Sequence, residues 1–482
     1  MRVVIIGGSH AGIACAKRAR KEYPGAELLL IERQNDIGFV AQSIPLFLRG
    51  DVDFLRLSSY TTIADLEQIG VKVLTSMEVT QVDVATKTLT CRDFGGMAAV
   101  GSPRGIPADA RSDDDAAGTA RVEPSDAPPP RYVEATLTYD KLVMATGSYP
   151  SVPRAVEDVD PNRLVVKGYR DAVRIKHFMD TARSAIVLGG GAIGVEVALA
   201  MARAGLTITI LQSPPSLLDR YLDYASASAV KASIEQEGVT VHTSSLVTKI
   251  DENTDPLRRR ATAFTHDGER YDADGIVYAT GFKPSSALLT GQVRLDEFGA
   301  FVVDEYLRTS APDVFAVGDC STTLLTGVDV PTYTPHASDA FREGDCAAVN
   351  LRGPRRTMNR AQGTYSLNVG DKTLCVTGMT QKYAMRQGIK ADLAYYRNQY
   401  VGSPDFYEMW VVYELGTHRL LGMQVRGTAK EIAAYVDIMS LAIERGLTIE
   451  DVEYTDFYFK HGFRNPASFT QIFADLIRAQ DP

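Results

Sequence analysis

Two glycine-rich turns, each placed between a short apolar segment and a predicted helix, indicate an α/β fold for this chain of 482 residues. A chain of this length is too long for one hydrophobic core and is typical of about three domains. Hydrophobic residues make up 45% of the chain and charged residues 23%, which is ordinary for a folded globular protein. We therefore predict two Rossmann-like nucleotide-binding domains and a third domain from the rest of the chain.

The first turn follows an apolar segment at residues 2–6 and has the spacing G-x-S-x-x-G. Its glycines permit a tight turn and let backbone amides approach a pyrophosphate, whose charge then lies at a helix N-terminus. The next apolar segment, 26–31, ends at a carboxylate about 20 residues beyond the last glycine, where it would hold ribose hydroxyls. The residues predicted to bind this nucleotide are Gly7, Ser9, Gly12, Glu32 and the adjacent Arg33.

The second turn follows the apolar segment 185–188 and opens an alanine-rich helix that continues through Ala204. It has the full spacing G-x-G-x-x-G, which alone is a weak signal. The strand before it, the helix after it and the second copy argue against chance, and two nucleotide-shaped ligands suggest that electrons pass between them. Turns kept only for folding are the alternative interpretation. The predicted binding residues are Gly189, Gly191 and Gly194.

Three further segments end an apolar strand with a turn. Residues 142–147 and 276–281 resemble each other and are typical of places where the chain passes between nucleotide domains. Residues 309–319 resemble a flavoprotein signature with a carboxylate just after a buried strand, and this resemblance implies that the carboxylate would accept a hydrogen bond from a ribityl hydroxyl of FAD. A strand-ending aspartate without a ligand is the alternative. The predicted cofactor-binding residues here are Thr146, Gly147, Gly281, Gly318 and Asp319.

The composition argues against several classes of partner. A net charge of −9 disfavours nucleic acid, and no apolar stretch approaches the roughly 20 residues that cross a bilayer. The first residues run directly into a strand and not into a signal peptide, so we expect a cytoplasmic protein. The five cysteines have no C-x-x-C or metal-ligand spacing, which disfavours disulfides and a bound metal. We interpret them as packing residues, although Cys15 and Cys320 lie near ligand motifs.

A segment at about 95–131 interrupts a β-rich region between the two turns. It is rich in alanine, glycine, serine and proline and carries three consecutive aspartates, a composition that does not bury enough apolar surface to fold alone. We predict a long flexible hairpin loop. A solvated spacer is the preferred interpretation, and a docking site for a partner is the alternative.

These motifs together resemble the pyridine nucleotide-disulfide oxidoreductase family, in its branch of NADH oxidases, NADH peroxidases and coenzyme A-disulfide reductases. The first turn, including His10, resembles the flavin loop of that branch. Residues 333–340 resemble its helix entry, 363–365 the start of its dimerisation domain, and 455–459 with 463–466 the closing motifs of that domain. The resemblance covers the whole chain and implies FAD, NAD(P)H, a C-terminal α+β dimerisation domain and a homodimer.

The resemblance also implies roles for two titratable residues. His10 lies where an imidazole would hydrogen-bond or protonate an oxygen species beside the flavin, a task that suits a group titrating near neutrality. A helix-start residue without chemistry is the alternative for His10. Glu196 resembles the acidic residue near the hydride-accepting edge of the flavin, and an acid favoured by the helix dipole is the alternative.

Three residues depart from the pattern of the family. The position of the redox cysteine aligns with Gln42, which has no thiolate and forms neither a sulfenic acid nor a mixed disulfide. Ala192 replaces an aromatic ring that commonly gates the nicotinamide pocket, so the gate is open or built from elsewhere. The segment 206–211 ends in Gln212 where NADH-selective relatives often carry a carboxylate, and no arginine follows at once, so NADH is only the preferred nucleotide.

We therefore expect an FAD-dependent NAD(P)H oxidase in which the predicted catalytic residues are His10, Gln42 and Glu196 and dioxygen is the acceptor. Hydrogen peroxide is the expected product, because the site lacks a thiol. A reductase of a small electron-carrier protein and a flavin-binding protein with a decayed nicotinamide site are the alternatives. The predicted domains are an FAD domain at 1–152 and 282–350, an NAD(P) domain at 153–281 and a dimerisation domain at 351–482.

Overall fold

The computed structural model of the protein describes residues 1–52, 59–93, 133–153, 163–253, 255, 259–400, 403–429, 431–458 and 466–481. Within these ranges the chain forms three five-stranded sheets, two of them parallel and one antiparallel, together with smaller sheets. The two parallel sheets follow the two glycine-rich turns, and the antiparallel sheet lies in the C-terminal part. The predicted α/β fold with two Rossmann-like domains is confirmed.

The first parallel sheet contains the strand that leads into the first turn. Its strands are apolar and buried on both faces, because helices cover them. Helix His10–Glu22 packs against helix Ala337–Asn350, and this packing is close because a Cβ on Gly344 would lie 2.1 Å from the carbonyl oxygen of Ala11. In spatial order the strands are Val314–Ala316, Lys141–Met144, Arg2–Ile6, Glu27–Ile31 and Val71–Leu74.

The second parallel sheet repeats this arrangement around the second turn. The strand before the turn again lies in the middle, and the strand after the following helix pairs with it. The strands in spatial order are Thr240–His242, Thr207–Leu211, Ser184–Leu188, Ile276–Tyr278 and Leu164–Val165. The helices of this part are Tyr169–Met179, Ala192–Arg203 and Tyr224–Gln236.

Smaller antiparallel sheets accompany the two parallel ones. One contains Met77–Asp83, Thr88–Asp93 and Val133–Thr138, and another contains Val247–Asn253, Arg260–Thr265 and Arg270–Ala273. In the first of these, Asp93 pairs with Val133, so the strands on either side of the predicted loop are neighbours. The insertion at about 95–131 itself lies outside the described residues.

The C-terminal part combines an antiparallel sheet with helices, as predicted for an α+β domain. Its strands in spatial order are Tyr365–Val369, Lys372–Gly378, Leu420–Gly427, Phe406–Glu414 and Ala391–Gln399. Its helices are Gln381–Arg386, Ile432–Glu444, Ile449–Glu453 and Phe469–Gln480. Of the predicted closing motifs, residues 459 and 463–465 lie outside the described residues. The remaining helices of the chain are Ile44–Arg49 and Ile63–Gln68, with short 3₁₀ turns at Ala41–Ser43 and Ala287–Leu289.

The two places where the chain crosses between the parallel sheets brace each other. Strands Ser148–Pro150 and Phe282–Pro284 pair antiparallel. The Thr146 hydroxyl donates to the carbonyl of Ser285 at 2.6 Å, and the Thr280 hydroxyl donates to the carbonyl of Ser151. The two similar sequence segments, 142–147 and 276–281, therefore both lead into a crossing between the parallel sheets. The domain boundaries predicted from the sequence stay a proposal.

Neither a membrane-spanning helix nor a metal-binding group of side chains occurs in the part of the chain that the structure describes. None of their helices is both long and apolar enough to cross a membrane. In the same part of the chain, no three or more histidine, cysteine, aspartate or glutamate side chains are grouped so as to hold a metal ion.

Candidate active site

A single cleft brings together most of the residues that the sequence singled out. Its volume is about 2680 Å³, and it runs between the two glycine-rich turns and the start of the C-terminal sheet. This volume exceeds the roughly 300–1,000 Å³ of a pocket for one small ligand, so two dinucleotides have room. The predicted residues that line the cleft are Gly7, Ser9, His10, Glu32, Arg33, Gln42, Thr146, Gly147, Gly189, Gly191, Glu196, Gln212, Gly281, Gly318 and Asp319.

Gly12 and Gly194, the third glycines of the two turns, do not line the cleft. A Cβ on Gly12 would lie 1.9 Å from the carbonyl oxygen of Gly7, and one on Gly194 would lie 2.0 Å from that of Gly189. These two glycines therefore let each helix pack closely onto the turn that precedes it. Gly191 differs, because a Cβ there meets no atom within 4 Å and would instead project into open space.

The residues at the ends of the second strands occupy equivalent places in the two halves. The Gly8 amide donates to Glu32 Oε2 at 2.7 Å, and the Gly190 amide donates to Gln212 Oε1 at 2.7 Å. The Gln212 side-chain amide also donates to the carbonyl of Ser216 at 3.2 Å. The second half thus keeps the geometry of the first, but its residue at this point is uncharged, so Gln212 itself does not repel a 2′-phosphate.

Asp319 belongs to a polar group that sequence reasoning found only in part. Its Oδ2 accepts hydrogen bonds from the Ser148 hydroxyl at 2.8 Å and from Lys167 Nζ at 3.1 Å. Lys167 Nζ also lies 4.4 Å from the centre of the Phe282 ring. Lys167 follows a two-residue strand and belongs to no recognisable motif, so the sequence offered no signal for it. A lysine and a carboxylate at this edge would suit the polar chain of a bound nucleotide.

His10 is the first residue of helix His10–Glu22 and projects into the cleft. Its ring stacks on Tyr60, with centroids 5.4 Å apart and planes 4° from parallel. Burial lowers the pKa of His10, the charge of Asp319 opposes that shift, and Lys167 adds to it. The imidazole is therefore neutral near pH 7 and is able both to donate and to accept a proton.

Glu196 lies one turn into helix Ala192–Arg203 and also faces the cleft. Burial raises its pKa to about 7, although the charge of Arg49 opposes the shift. A carboxyl that titrates near neutrality and lines a cleft is typical of a functional site. The prediction that Glu196 belongs to the reacting centre is consistent with this environment.

Gln42 lies on the 3₁₀ turn Ala41–Ser43 at the wall of the cleft, and its side chain is exposed there. The neighbouring Phe39 and Ala41 pack against the same hydrophobic cluster as Ala192 and Tyr365. Helix Ile44–Arg49, which begins two residues after Gln42, contacts the helix that carries Glu196.

The cysteine side chains lie away from the cleft. All five cysteines are buried with free thiols, and none lines the cleft. Burial raises the pKa of each thiol, so none is a reactive thiolate near pH 7. Cys320 illustrates the packing role, because its thiol donates to the carbonyls of Met144 and Val317. The cysteines are Cys15, Cys91, Cys320, Cys346 and Cys375.

Glu343 supports the cleft from behind and was not singled out by the sequence. Its side chain is 3% exposed, and its Oε2 accepts a hydrogen bond from the Gly318 amide at 2.7 Å. Burial is the largest of several effects on its pKa, which is raised from 4.5 to about 8. The folded protein therefore holds a proton that the unfolded chain loses between these two pH values.

We expect this proton to make the folded state less stable as the pH rises from about 5 to 8, at no more than about 1.4 kcal/mol per pH unit. Above the pKa of Glu343 in the folded protein, this carboxyl is ionised in both the folded and the unfolded state, and stability no longer falls with pH. Replacing Glu343→Gln keeps the acceptor for Gly318 and should flatten the slope. Urea unfolding at several pH values, with FAD held constant, measures it; equal slopes in the two proteins contradict the assignment. Glu196 contributes in the same direction up to about pH 7.

The residues present fit the two nucleotides that the motifs imply. In each half, a Cβ on the first glycine would collide with a carbonyl, at 2.1 Å from Ala145 for Gly7 and 2.4 Å from Ala279 for Gly189. Both glycines also have left-handed φ angles, +115° and +103°. These turns hold helix N-termini open toward the cleft, where phosphate charge is stabilised. Glu32 and Asp319 then supply acceptors for sugar hydroxyls.

Known proteins resemble this chain over nearly its whole length. A sequence model for the family described as pyridine nucleotide-disulphide oxidoreductase matches residues 1–344. An NADH oxidase of Enterococcus faecalis is 27% identical over 479 residues, and the alignment covers 98% of both chains. An NADH oxidase of Lactococcus lactis is 26% identical over 483 residues, covering 98% of this chain and 99% of the relative.

A solved structure shows the same similarity in three dimensions. It is described as the water-forming NADH oxidase from Lactobacillus brevis bound to NADH. It superposes with a TM-score of 0.87 at 26% identity, and the match covers 100% of this chain and 98% of that chain. The shared fold therefore includes the C-terminal sheet beyond residue 344.

Proposed function

Because the chain belongs to the pyridine nucleotide-disulphide oxidoreductase family, we propose that this FAD-dependent, NAD(P)H-using enzyme is an NADH oxidase that releases hydrogen peroxide. The observation that carries the proposal is the absence of any thiol along the cleft, whose wall includes Gln42, the residue that we assign to the position of the redox cysteine. The balanced reaction consumes NADH, a proton and dioxygen, and yields NAD⁺ and hydrogen peroxide. Each turnover transfers two electrons.

The two turns divide the binding of the nucleotides. The amides of the first turn, Glu32 and Asp319 would hold FAD, and Lys167 would orient Asp319. The second turn, with Gln212 at its far end, would hold the nicotinamide nucleotide. The chemistry that FAD supplies when bound is the transfer of two electrons from the nicotinamide to an acceptor. The protein contributes orientation, since both ligands share one cleft.

His10 and Glu196 would manage protons at this centre. His10 is held by its stack on Tyr60, and its neutral ring would accept a proton from solvent and pass it, as imidazolium, to reduced oxygen. Glu196 would stand beside the nicotinamide, where its neutral form below about pH 7 avoids an unpaired buried charge. Neither task needs a thiol.

Peroxide is the proposed product although the compared relative from Lactobacillus brevis is described as water-forming. Reducing peroxide further requires a group that attacks its O–O bond, and a thiolate does so by becoming a sulfenic acid. The Gln42 amide has no comparable nucleophile, and the five thiols of the chain are buried elsewhere. Peroxide formed here would therefore leave the cleft.

Several finer points also belong to this proposal. We propose a homodimer formed through the C-terminal part, a cytoplasmic location, and the domain boundaries given above. NADH is the preferred nucleotide, while the uncharged Gln212 leaves NADPH acceptable. The reduction of a small electron-carrier protein remains the alternative, and we expect it to be slow because the net charge of −9 repels acidic carriers.

Stoichiometry tests the proposal directly. Anaerobic mixing of the purified holoenzyme with NADH should bleach the flavin absorbance, and the same protein in air should release about one peroxide per NADH oxidised. Catalase should then return half of the oxygen consumed. A flavin that neither NADH nor NADPH bleaches would contradict the oxidase proposal, and complete conversion of oxygen to water would contradict its product.

A further inference from the structure

Three aromatic rings from different parts of the chain meet at the wall of the cleft. The rings of Tyr221 and Tyr365 stack, with centroids 5.6 Å apart and planes 23° from parallel. His336 closes the group, 5.8 Å from Tyr221 and 6.1 Å from Tyr365. Tyr221 lies between strand Thr207–Leu211 and helix Tyr224–Gln236, His336 precedes helix Ala337–Asn350, and Tyr365 begins the C-terminal sheet. We call these three residues the aromatic triad.

The aromatic triad lies beside the helix that follows the second turn. Ala192, the first residue of that helix, packs against the same hydrophobic cluster as Tyr221 and Tyr365. Burial and the nearby charge of Glu196 both raise the pKa of Tyr365. Tyr365 is therefore close to Glu196, and the small side chain of Ala192 leaves it room.

The direction of a bound dinucleotide brings its reactive end to this place. Its pyrophosphate would lie on the amides of the second turn, and its adenosine half would extend toward Gln212 at the end of strand Thr207–Leu211. The other half must then leave the turn on the opposite side. We infer that it would pass Ala192, Glu196 and Tyr365, which line the same cleft.

We propose that Tyr365 occupies the nicotinamide position while the site is empty, held there by Tyr221 and His336, and that the nucleotide must displace this ring to bind productively. The proposal rests on the nucleotide site of the proposed function and adds its specificity element. Stacking of one aromatic pair corresponds to roughly a 2-fold to 12-fold factor in affinity. Only a ligand that carries the nicotinamide ring must break this stacking contact, because a ligand without the ring leaves Tyr365 in its place.

Binding of NAD⁺ and of ADP-ribose to the oxidised holoenzyme separates the ring from the rest of the nucleotide. Calorimetry on the Tyr365→Ala protein should show NAD⁺ bound roughly 2-fold to 12-fold more tightly and ADP-ribose bound as before. Tyr365→Phe keeps the ring and should match the unaltered protein. Tyr395→Ala is the matched control, since Tyr395 contacts Trp410 in the C-terminal sheet and lies away from the cleft.

A second variant guards against poor folding of the first. Tyr221→Leu removes the stacking partner and keeps an apolar side chain, so it should tighten NAD⁺ in the same direction. Flavin content and thermal unfolding confirm that each variant is intact. The proposed role of Tyr365 is overturned if the affinity for NAD⁺ is unchanged or weaker in both variants. It is also overturned if the affinities for NAD⁺ and ADP-ribose change equally. If the unaltered protein does not bind ADP-ribose, the nucleotide site of the proposed function is wrong, and so is the proposed role of Tyr365.

Discussion

Replacing Gln42 with cysteine is expected to lower the peroxide released per NADH from about one toward zero, and to raise the NADH consumed per oxygen from about one to about two. The new thiol would lie directly before helix Ile44–Arg49, at the wall of the cleft, where a thiolate is favoured. It would attack peroxide to give a sulfenic acid and water. A second NADH would then return the sulfenic acid to the thiol with release of a second water.

Peroxide and oxygen measured together in one reaction follow both ratios. Gln42→Ser is the matched control, because serine resembles cysteine in size and is not oxidised by peroxide, so its ratios should equal those of the unaltered protein. If Gln42→Cys releases as much peroxide as the control, residue 42 does not face the reacting oxygen. If the unaltered protein already formed only water, a thiol would be unnecessary for that reaction. The Gln42→Cys substitution would then leave both ratios unchanged.

The parts of the fold that follow from local chemistry were predictable from the sequence. Glycine spacing located both turns, because only glycine adopts the left-handed φ of Gly7 and Gly189 beside a carbonyl. Apolar runs located the central strands, because a strand of a covered parallel sheet is buried on both faces.

The parts that depend on contacts between distant segments were not predictable. Lys167 reaches Asp319 across 152 positions, and Glu343 reaches the Gly318 amide from a separate helix. No spacing rule joins such pairs, and a buried carboxyl resembles any other glutamate in a helical sequence. The aromatic triad was missed for the same reason, because its three rings come from segments far apart in the sequence.

Gln212 shows how a departure gains meaning from the structure. From the sequence it was a missing carboxylate, which left the choice of nucleotide open. In the structure its carbonyl oxygen takes the hydrogen bond from Gly190 that Glu32 takes from Gly8. The residue therefore keeps the structural task of the position and gives up its charge, and we propose that this weakens selection against NADPH without removing the site.

Replacing Gly189 with alanine is expected to slow flavin reduction by NADH by about 100-fold or more while FAD stays bound. The new Cβ would lie 2.4 Å from the carbonyl oxygen of Ala279, at a φ of +103° that alanine adopts only with strain. The second turn must move to relieve this contact, and a displacement of about 1 Å at a positioning element costs about 100-fold in rate. The first turn is a separate structure and keeps its geometry.

Stopped-flow mixing under anaerobic conditions measures the rate, and the flavin-to-protein absorbance ratio measures retention of FAD. Gly25→Ala is the control for a harmless glycine substitution, since a Cβ there meets no atom within 4 Å. The mirror variant Gly7→Ala should instead lose FAD, because its Cβ would lie 2.1 Å from the carbonyl oxygen of Ala145. If Gly189→Ala lost FAD and Gly7→Ala kept it, the assignment of the two nucleotides would have to be exchanged; if both kept normal reduction, neither turn would hold the ligand that the oxidase requires.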